Sequence, residues 1–299
     1  MKPISLLAVL SAAVALVLTS GCAGGSAGTT ANAGNPSKAS APQTPAPEKK
    51  TVKIAINSSP NPPYSYVDDK NQPIGYTIDY LKELEKKLPQ YEFKYEAMDQ
   101  DAQLIGTDLG KYALAANYFF RNPEREQKYL YPQHEFGYSV TSLIVKSDRT
   151  DIRSLDDMVG KKLTPMTPTN GLRNMIKDYN LKHPGKEIKI EDIDKITIAD
   201  RLKMVNDGKY DADFVNVHNF DDTNKQLKLD LKVGAVVSKE PLYVLLNKKE
   251  TELAERIDAA TAELTKDGTL SKLAEKWFSV DLFKSLEQVG EGYKFRNAK

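Results

Sequence analysis

Of the residues that most often carry covalent, acid–base or metal chemistry, this chain has one cysteine, Cys22, and three histidines, His134, His183 and His218. A single cysteine closes no internal disulfide and cannot build a cysteine-based metal site. None of the histidines has the spacing of a metal-binding His-Glu-x-x-His helix. No Gly-x-Ser-x-Gly elbow, Walker A loop or Gly-x-Gly-x-x-Gly fingerprint occurs, so hydrolase, NTPase and Rossmann-enzyme chemistry lack support. No metal and no cofactor are expected. What remains is non-covalent recognition. Arg125, in Asn122-Pro123-Glu124-Arg125, carries a planar fork that pairs both oxygens of a carboxylate and stays charged when water is excluded. By residue type alone it reads first as one of several surface cations at a helix start, beside Arg121 and Lys128.

Any such chemistry needs elements to position it. The chain of 299 residues has room for one large domain or two small ones. Hydrophobic residues make up 40% and charged residues 28%, as in a globular protein with a core. Lys and Arg number 42 against 41 Asp and Glu, too even a balance to gather nucleic acid, which is not expected as a partner. The one long apolar run, residues 4–18, follows Lys2 and precedes Thr19, Ser20 and Gly21. That is the layout of a secretion signal, and the run is short against the roughly 20 residues that span a bilayer. Cys22 directly after it resembles the lipobox cysteine of bacterial lipoproteins, although Thr19 stands where an aliphatic residue is usual. Residues 1–21 therefore read as a signal peptide. Residues 22–50, rich in Gly, Ser, Ala and Pro, read as a flexible tether above an acylated Cys22, since more than one acyl chain gives stable membrane anchoring.

The folded part starts at Thr51. Residues 52–56 alternate as a strand and end in a turn cluster at 57–63; Ile78, Leu81, Leu84 and Leu88 then recur at helical spacing and stop at Pro89. Strand-then-helix alternation continues to Asn117. A second series follows: a strand at 162–166, a helix at 170–181, a strand near Ile188, a helix at 199–205 and a strand at 212–217. This is α/β patterning. Two apolar β-like runs, 139–145 and 242–246, separate the series and mark two hinge crossings between two lobes. Helices at 252–264 and 269–278 close the chain, joined by Asp267 and Gly268 with a Thr269 cap. Gly110-Lys111-Tyr112 and Gly208-Lys209-Tyr210 each stand at a helix-to-strand turn, an internal echo of two similar lobes.

Four stretches, PNPPYSYVDDKNQPIGYTIDYLKEL, DLGKYALAANYFFRNPEREQKYLYP, SLDDMVGKKLTPMTPTNGL and LTKDGTLSKLAEKWF, together resemble the extracellular solute-binding proteins of ABC importers for polar amino acids. The resemblance covers nearly all of residues 51–278. It implies a type II periplasmic-binding fold, with lobe 1 from residues 51–144 and 241–299 and lobe 2 from 145–240. It also implies site residues. Arg125 matches the arginine that clamps the ligand's α-carboxylate. Thr169 and Asn170 match a lobe 2 helix start that holds the same group, with Pro168 in place of a usual glycine. Tyr64, Asn117, Tyr118 and Gln100 fall at positions expected to face the ligand, whereas Tyr66 and Trp277 read as core. Asn216 stands where many relatives carry an Asp that pairs with the ligand ammonium. Asn accepts a hydrogen bond but supplies no opposing charge. Either Asp99, Asp213 or Glu135 substitutes, or the ligand is a less cationic derivative.

The implied protein is a monomeric receptor without catalytic residues, anchored to the extracytoplasmic face of the cell membrane. It closes two lobes on an amino-acid-like ligand and delivers it to the permease and ATPase of an importer. The stretches DQDAQLIG and NPEREQKYLYP most resemble those of receptors for cystine and related polar amino acids. Two other readings share the fold: an enzyme similar to the cyclohexadienyl dehydratases, for which His218 would be the residue to watch, and a ligand sensor.

Overall fold

The computed structural model describes residues 48–58, 61–68, 70, 72–168 and 170–297. The signal, nearly all of the tether, Cys22 and Thr169 lie outside the described residues. β1 (Lys50–Asn57) opens the fold, followed by the short ribbon of β2 (Tyr66–Val67) and β3 (Pro73–Ile74). Ile54, Ala55 and Ile56 of β1 are all buried, as in a parallel strand covered on both faces. α1 (Tyr76–Lys87) buries Ile78, Leu81 and Leu84, the stripe that the spacing predicts. It starts at Gly75, whose φ is 123°; a Cβ there would stand 2.4 Å from the Tyr64 carbonyl oxygen, so only glycine fits. β4 (Tyr91–Met98), α2 (Gln100–Asp108) and β5 (Leu114–Phe119) complete a β-α-β-α-β unit, in which β1 runs parallel to both β4 and β5.

The chain then forms α3 (Pro123–Lys128), β6 (Tyr129–Leu130) and the long β7 (Gly137–Lys146), before building a second unit of the same kind. A 3-10 turn at Asp156–Met158 leads to β8 (Leu163–Met166), α4 (Leu172–Lys182), β9 (Ile190–Asp192), α5 (Ile198–Asn206) and β10 (Asp213–Asn216). β8 runs parallel to β9, and Leu163 bridges Ala212 in parallel. The echo seen in the sequence has a structural counterpart. Gly110 and Gly208, with φ of 76° and 71°, end α2 and α5 in the left-handed region that favours glycine. The tyrosines two residues on donate alike, Tyr112 to Glu96 at 2.6 Å and Tyr210 to Glu191 at 2.7 Å.

α6 (Val217–Leu227) returns the chain to β11 (Leu231–Asn247), and α7 (Thr251–Lys266), α8 (Thr269–Phe278) and α9 (Leu286–Asn297) finish it. The sheet order is β10-β7-β11-β5-β1-β4. β11 pairs antiparallel with β7 over Leu231 to Leu242 and with β5 from Tyr243 to Leu246, so it belongs to both halves. The largest core also spans them, joining Ile54, Leu81 and Leu246 with Leu202, Val215 and Phe220. A separate core of Ile152, Met158, Met166, Ile176 and Phe214 lies within the second unit.

Three local expectations differ from the structure. β11 starts at Leu231 rather than 242, because its first half alternates buried and half-exposed residues and contains Lys232, Ser238 and Lys239. α8 is entered through Gly268 without a side-chain cap from Thr269; Asp267 instead accepts the Thr269 N–H at 3.0 Å. The sequence pattern gave no helix beyond 278, yet α9 forms and packs Gly292 closely: a Cβ there would stand 2.8 Å from the side chain of Val280.

Candidate functional site

A cavity of about 640 Å³ is lined by Phe120 just past β5, Thr141 of β7, Glu240 of β11, and Asn170, Arg201 and Asn216 of the second unit. Leu172, Met175, Ile196, Ile198 and Val215 supply its apolar wall. Small-molecule sites commonly enclose about 300–1,000 Å³ of mostly apolar wall with a few aimed polar groups.

Arg125 is positioned by its own short helix. Asn122 caps α3, its Oδ1 accepting the Arg125 N–H at 2.8 Å, and Pro123 occupies the first helical position, where its missing N–H leaves no bond unmade. The guanidinium Nη1 donates to the Phe120 carbonyl at 3.2 Å, and the group lies 5.3 Å from the centroid of the Phe119 ring. Tyr131 donates to the same carbonyl at 3.1 Å. Half-buried Arg125 makes no ion pair among the described residues, so its fork remains available at the residue that lines the cavity.

Arg201 on the opposite wall is different. It is 4% exposed, and its Nη1 donates to Oδ1 of the fully buried Asp213 at 2.7 Å. Thr164 also donates to Asp213. Burial pushes the Asp213 carboxyl above its ordinary range, while the Arg201 charge and the Thr164 hydroxyl oppose that rise. Asp213 is thus not free to replace a missing charge at Asn216.

The other sequence-derived residues divide into two groups. Asn170 and Asn216 line the cavity. Asn170 Oδ1 accepts the Leu172 N–H at 2.9 Å at the start of α4, and the Asn216 amide donates to Ser139 at 3.0 Å and Thr141 at 3.2 Å. Tyr64, 1% exposed, is packed in the core; its hydroxyl donates to the Tyr138 carbonyl at 2.8 Å and its ring stacks on Tyr118 at 5.5 Å. Burial lifts its pKa well above the ordinary value, which suits a neutral packing residue. Tyr118 is partly exposed and meets Phe120 edge-on at 6.4 Å. Asn117 is 2% exposed and accepts the Tyr118 N–H. Gln100 is exposed on the first turn of α2, beside Asp99, which caps that helix, and neither lines the cavity. Glu135 accepts the Tyr138 hydroxyl.

His218, on α6, is 6% exposed and meets the Tyr64 ring edge-on at 5.0 Å. Burial lowers its pKa to about 4, so it is a neutral core group in neutral solution. The sequence reading missed Glu240, Thr141, Phe120 and Arg201. Of these only Thr141 lies in a run marked as a crossing, and nothing in the local pattern singles out a Glu before a Pro.

This sheet order, the two like units and the cavity against both crossing strands define the two-lobed periplasmic-binding fold. A crystal structure of the probable amino-acid ABC transporter extracellular-binding protein ytmK from Bacillus subtilis superposes with a TM-score of 0.67 at 25% identity, covering 77% of this chain and 98% of that one. Residues 52–280 match the family model of bacterial extracellular solute-binding proteins, family 3, and the chain belongs to that family. Two relatives from Bacillus subtilis (strain 168) are named as L-cystine-binding proteins. TcyK is 30% identical over 81% of this chain and 89% of its own length, and TcyJ 31% identical over 75% and 82%. Membership makes the chain an extracytoplasmic receptor of amino-acid transport rather than an enzyme.

Proposed function

We propose that this receptor captures L-cystine, or a closely related polar amino acid, and hands it to the permease and ATPase of an ABC importer. Arg125 carries the reading. Its guanidinium has no carboxylate partner among the described residues and stands at Phe120 on the cavity edge, ready for the bidentate pairing that an α-carboxylate offers. In this reading Thr169 and Asn170 complete the carboxylate site, and Asn216 adds an amide. Residues 51–144 with 241–299 form one lobe and 145–240 the other. The ligand favours closure because only the closed state lets it touch both. Acylation of Cys22 anchors the monomer outside the membrane, and residues 22–50 give it reach. Two relatives named for L-cystine support the choice of ligand.

Isothermal titration of the full chain against L-cystine and the common amino acids tests this. We expect saturable binding of L-cystine, weakened roughly 100-fold by Arg125→Ala, in line with losing one partner of a desolvated charge pair. Absence of binding by every amino acid would overturn it.

A further inference from the structure

Asn216 leaves the ligand's ammonium without a counter-charge, and the sheet shows where one stands. In the ladder between β10 and β7, Asn216 is paired with Thr141; in the ladder between β7 and β11, Ser139 is paired with Glu240. Directly opposed residues of antiparallel strands project on the same face, and residues two apart on one strand do too. Asn216, Thr141, Ser139 and Glu240 therefore share one face across three neighbouring strands. The side-chain contacts agree, because the Asn216 amide reaches both hydroxyls, at 3.0 and 3.2 Å. Those two bonds use its N–H groups and leave its carbonyl oxygen as an acceptor.

Glu240 lines the same cavity, is exposed, and makes no hydrogen bond or ion pair among the described residues. The other candidate carboxylates are engaged: Asp213 by Arg201 and Thr164, Glu135 by Tyr138, and Asp99 by the N–H of Ala102. Arg201 cannot neutralise Glu240 without leaving Asp213 buried and unpaired. A carboxylate that loses water as the cavity closes is costly unless a cation comes with the ligand. From the shared face and the free carboxylate we infer that Glu240 is the counter-ion for the ligand's α-ammonium, which bridges it to the Asn216 carbonyl oxygen. Glu240 stands on the crossing strand β11, two strands along the sheet from Asn216 on β10.

This inference rests on the amino-acid reading above, and calorimetry on the full chain separates the two. The probes are L-cystine and 3,3′-dithiodipropionic acid, which keeps both carboxylates and the disulfide but has no amino groups. Glu240→Gln is expected to weaken L-cystine about 10-fold or more while leaving dithiodipropionate within about twofold, the pattern of one lost charge-assisted contact. Adding Asn216→Asp to Glu240→Gln should restore most of the L-cystine affinity by returning a negative charge to the neighbouring strand. Ligand-free melting temperatures check that the variants fold; Glu240 is exposed, so that of Glu240→Gln should match the parent. If Glu240→Gln binds L-cystine like the parent, or weakens both probes equally, Glu240 is not the ammonium partner. If the parent binds neither probe nor any amino acid, the amino-acid reading falls and this inference falls with it.

Discussion

Arg201 lines the cavity and Arg125 bonds the carbonyl of Phe120, which lines it too, yet the surroundings of the two arginines are opposite. Arg201 is closed onto Asp213 in a pair whose side chains are 5% and 0% exposed, with Thr164 donating to the same carboxylate. Arg125 is half-buried on a six-residue helix, holds a backbone carbonyl at 3.2 Å and has no carboxylate partner among the described residues. A buried ion pair whose charges satisfy each other has little left for a ligand, and its removal exposes an unpaired charge to a low dielectric. A charge that the fold leaves unpaired at a cavity edge contributes little to stability and much to recognition. The Arg201–Asp213 pair in the second unit is therefore structural, and the proposed reading gives the edge near Phe120 to the ligand, although both present the same side chain.

The strongest test acts on the buried pair. Arg201→Met leaves Asp213 buried without its cation and should destabilise the protein by about 3–5 kcal/mol, the range for breaking a buried pair from one side. Urea denaturation at neutral pH measures it. Removing both charges with Arg201→Met and Asp213→Leu should recover most of that loss, since an apolar pair of similar volume is often no worse. A single-variant loss near zero would erase the contrast between the two arginines.

His218 extends the contrast to pH. Its ordinary pKa is near 6.5 and its folded value about 4, so above 6.5 the folded and unfolded chains both carry it neutral. As the pH falls below 6.5 the unfolded chain takes up a proton that the folded chain refuses. The resulting loss of stability grows until about pH 4 and reaches about 3 kcal/mol at 1.36 kcal/mol per unit. His218→Phe, which keeps a ring against Tyr64 and Tyr118, should flatten the acid limb of a stability–pH profile measured between pH 7 and 4. An unchanged limb would place the titration elsewhere.

At the cavity edge the expected change is in affinity. Arg125→Lys keeps the charge but loses the planar fork, and should weaken L-cystine about 10- to 30-fold while shifting unfolding free energy by less than about 0.5 kcal/mol, as for a surface substitution. Calorimetry paired with urea denaturation reads both. A large stability change with intact affinity would make Arg125 a second Arg201.

How much of this could be read from the sequence depended on whether a signal was periodic or isolated. The alternation of strands and helices, the two crossings and the matching turns at Gly110 and Gly208 are periodic or repeated, and the structure contains all of them. Arg125 was visible because Asn122 and Pro123 mark a helix start and the family motif gives that start a meaning. Tyr64 shows the limit. An aromatic after a Pro-Pro turn suits a ligand face, but only tertiary packing against Tyr76, Tyr118, His218 and Phe278 decides that it is core. Asp213 was weighed as a free charge because its partner Arg201 lies on another element. Glu240 went unremarked because its role depends on the register of β7 against β11, which no local pattern encodes. α9 was hidden by Gly290 and Gly292, poor helix formers, of which the close contact with Val280 explains Gly292.

The smallest predicted effect concerns how the cavity edge is held. Asn122 does not line the cavity; its side chain accepts the Arg125 N–H at 2.8 Å and caps a helix of six residues. Asn122→Ala removes that acceptor, and loss of an N-cap is worth about 1 kcal/mol. Because α3 buries no residue, the loss should appear as local loosening rather than global unfolding. Amide exchange in residues 124–128 should quicken while the urea midpoint stays nearly unchanged, and L-cystine affinity should fall only a few-fold, the share of the cap energy that pre-orients the guanidinium. Asn122→Asp, which keeps a capping oxygen, should restore slow exchange. If Asn122→Ala instead lowered the urea midpoint as Arg201→Met does, the edge would be as structural as the buried pair and the division between the two arginines would fail.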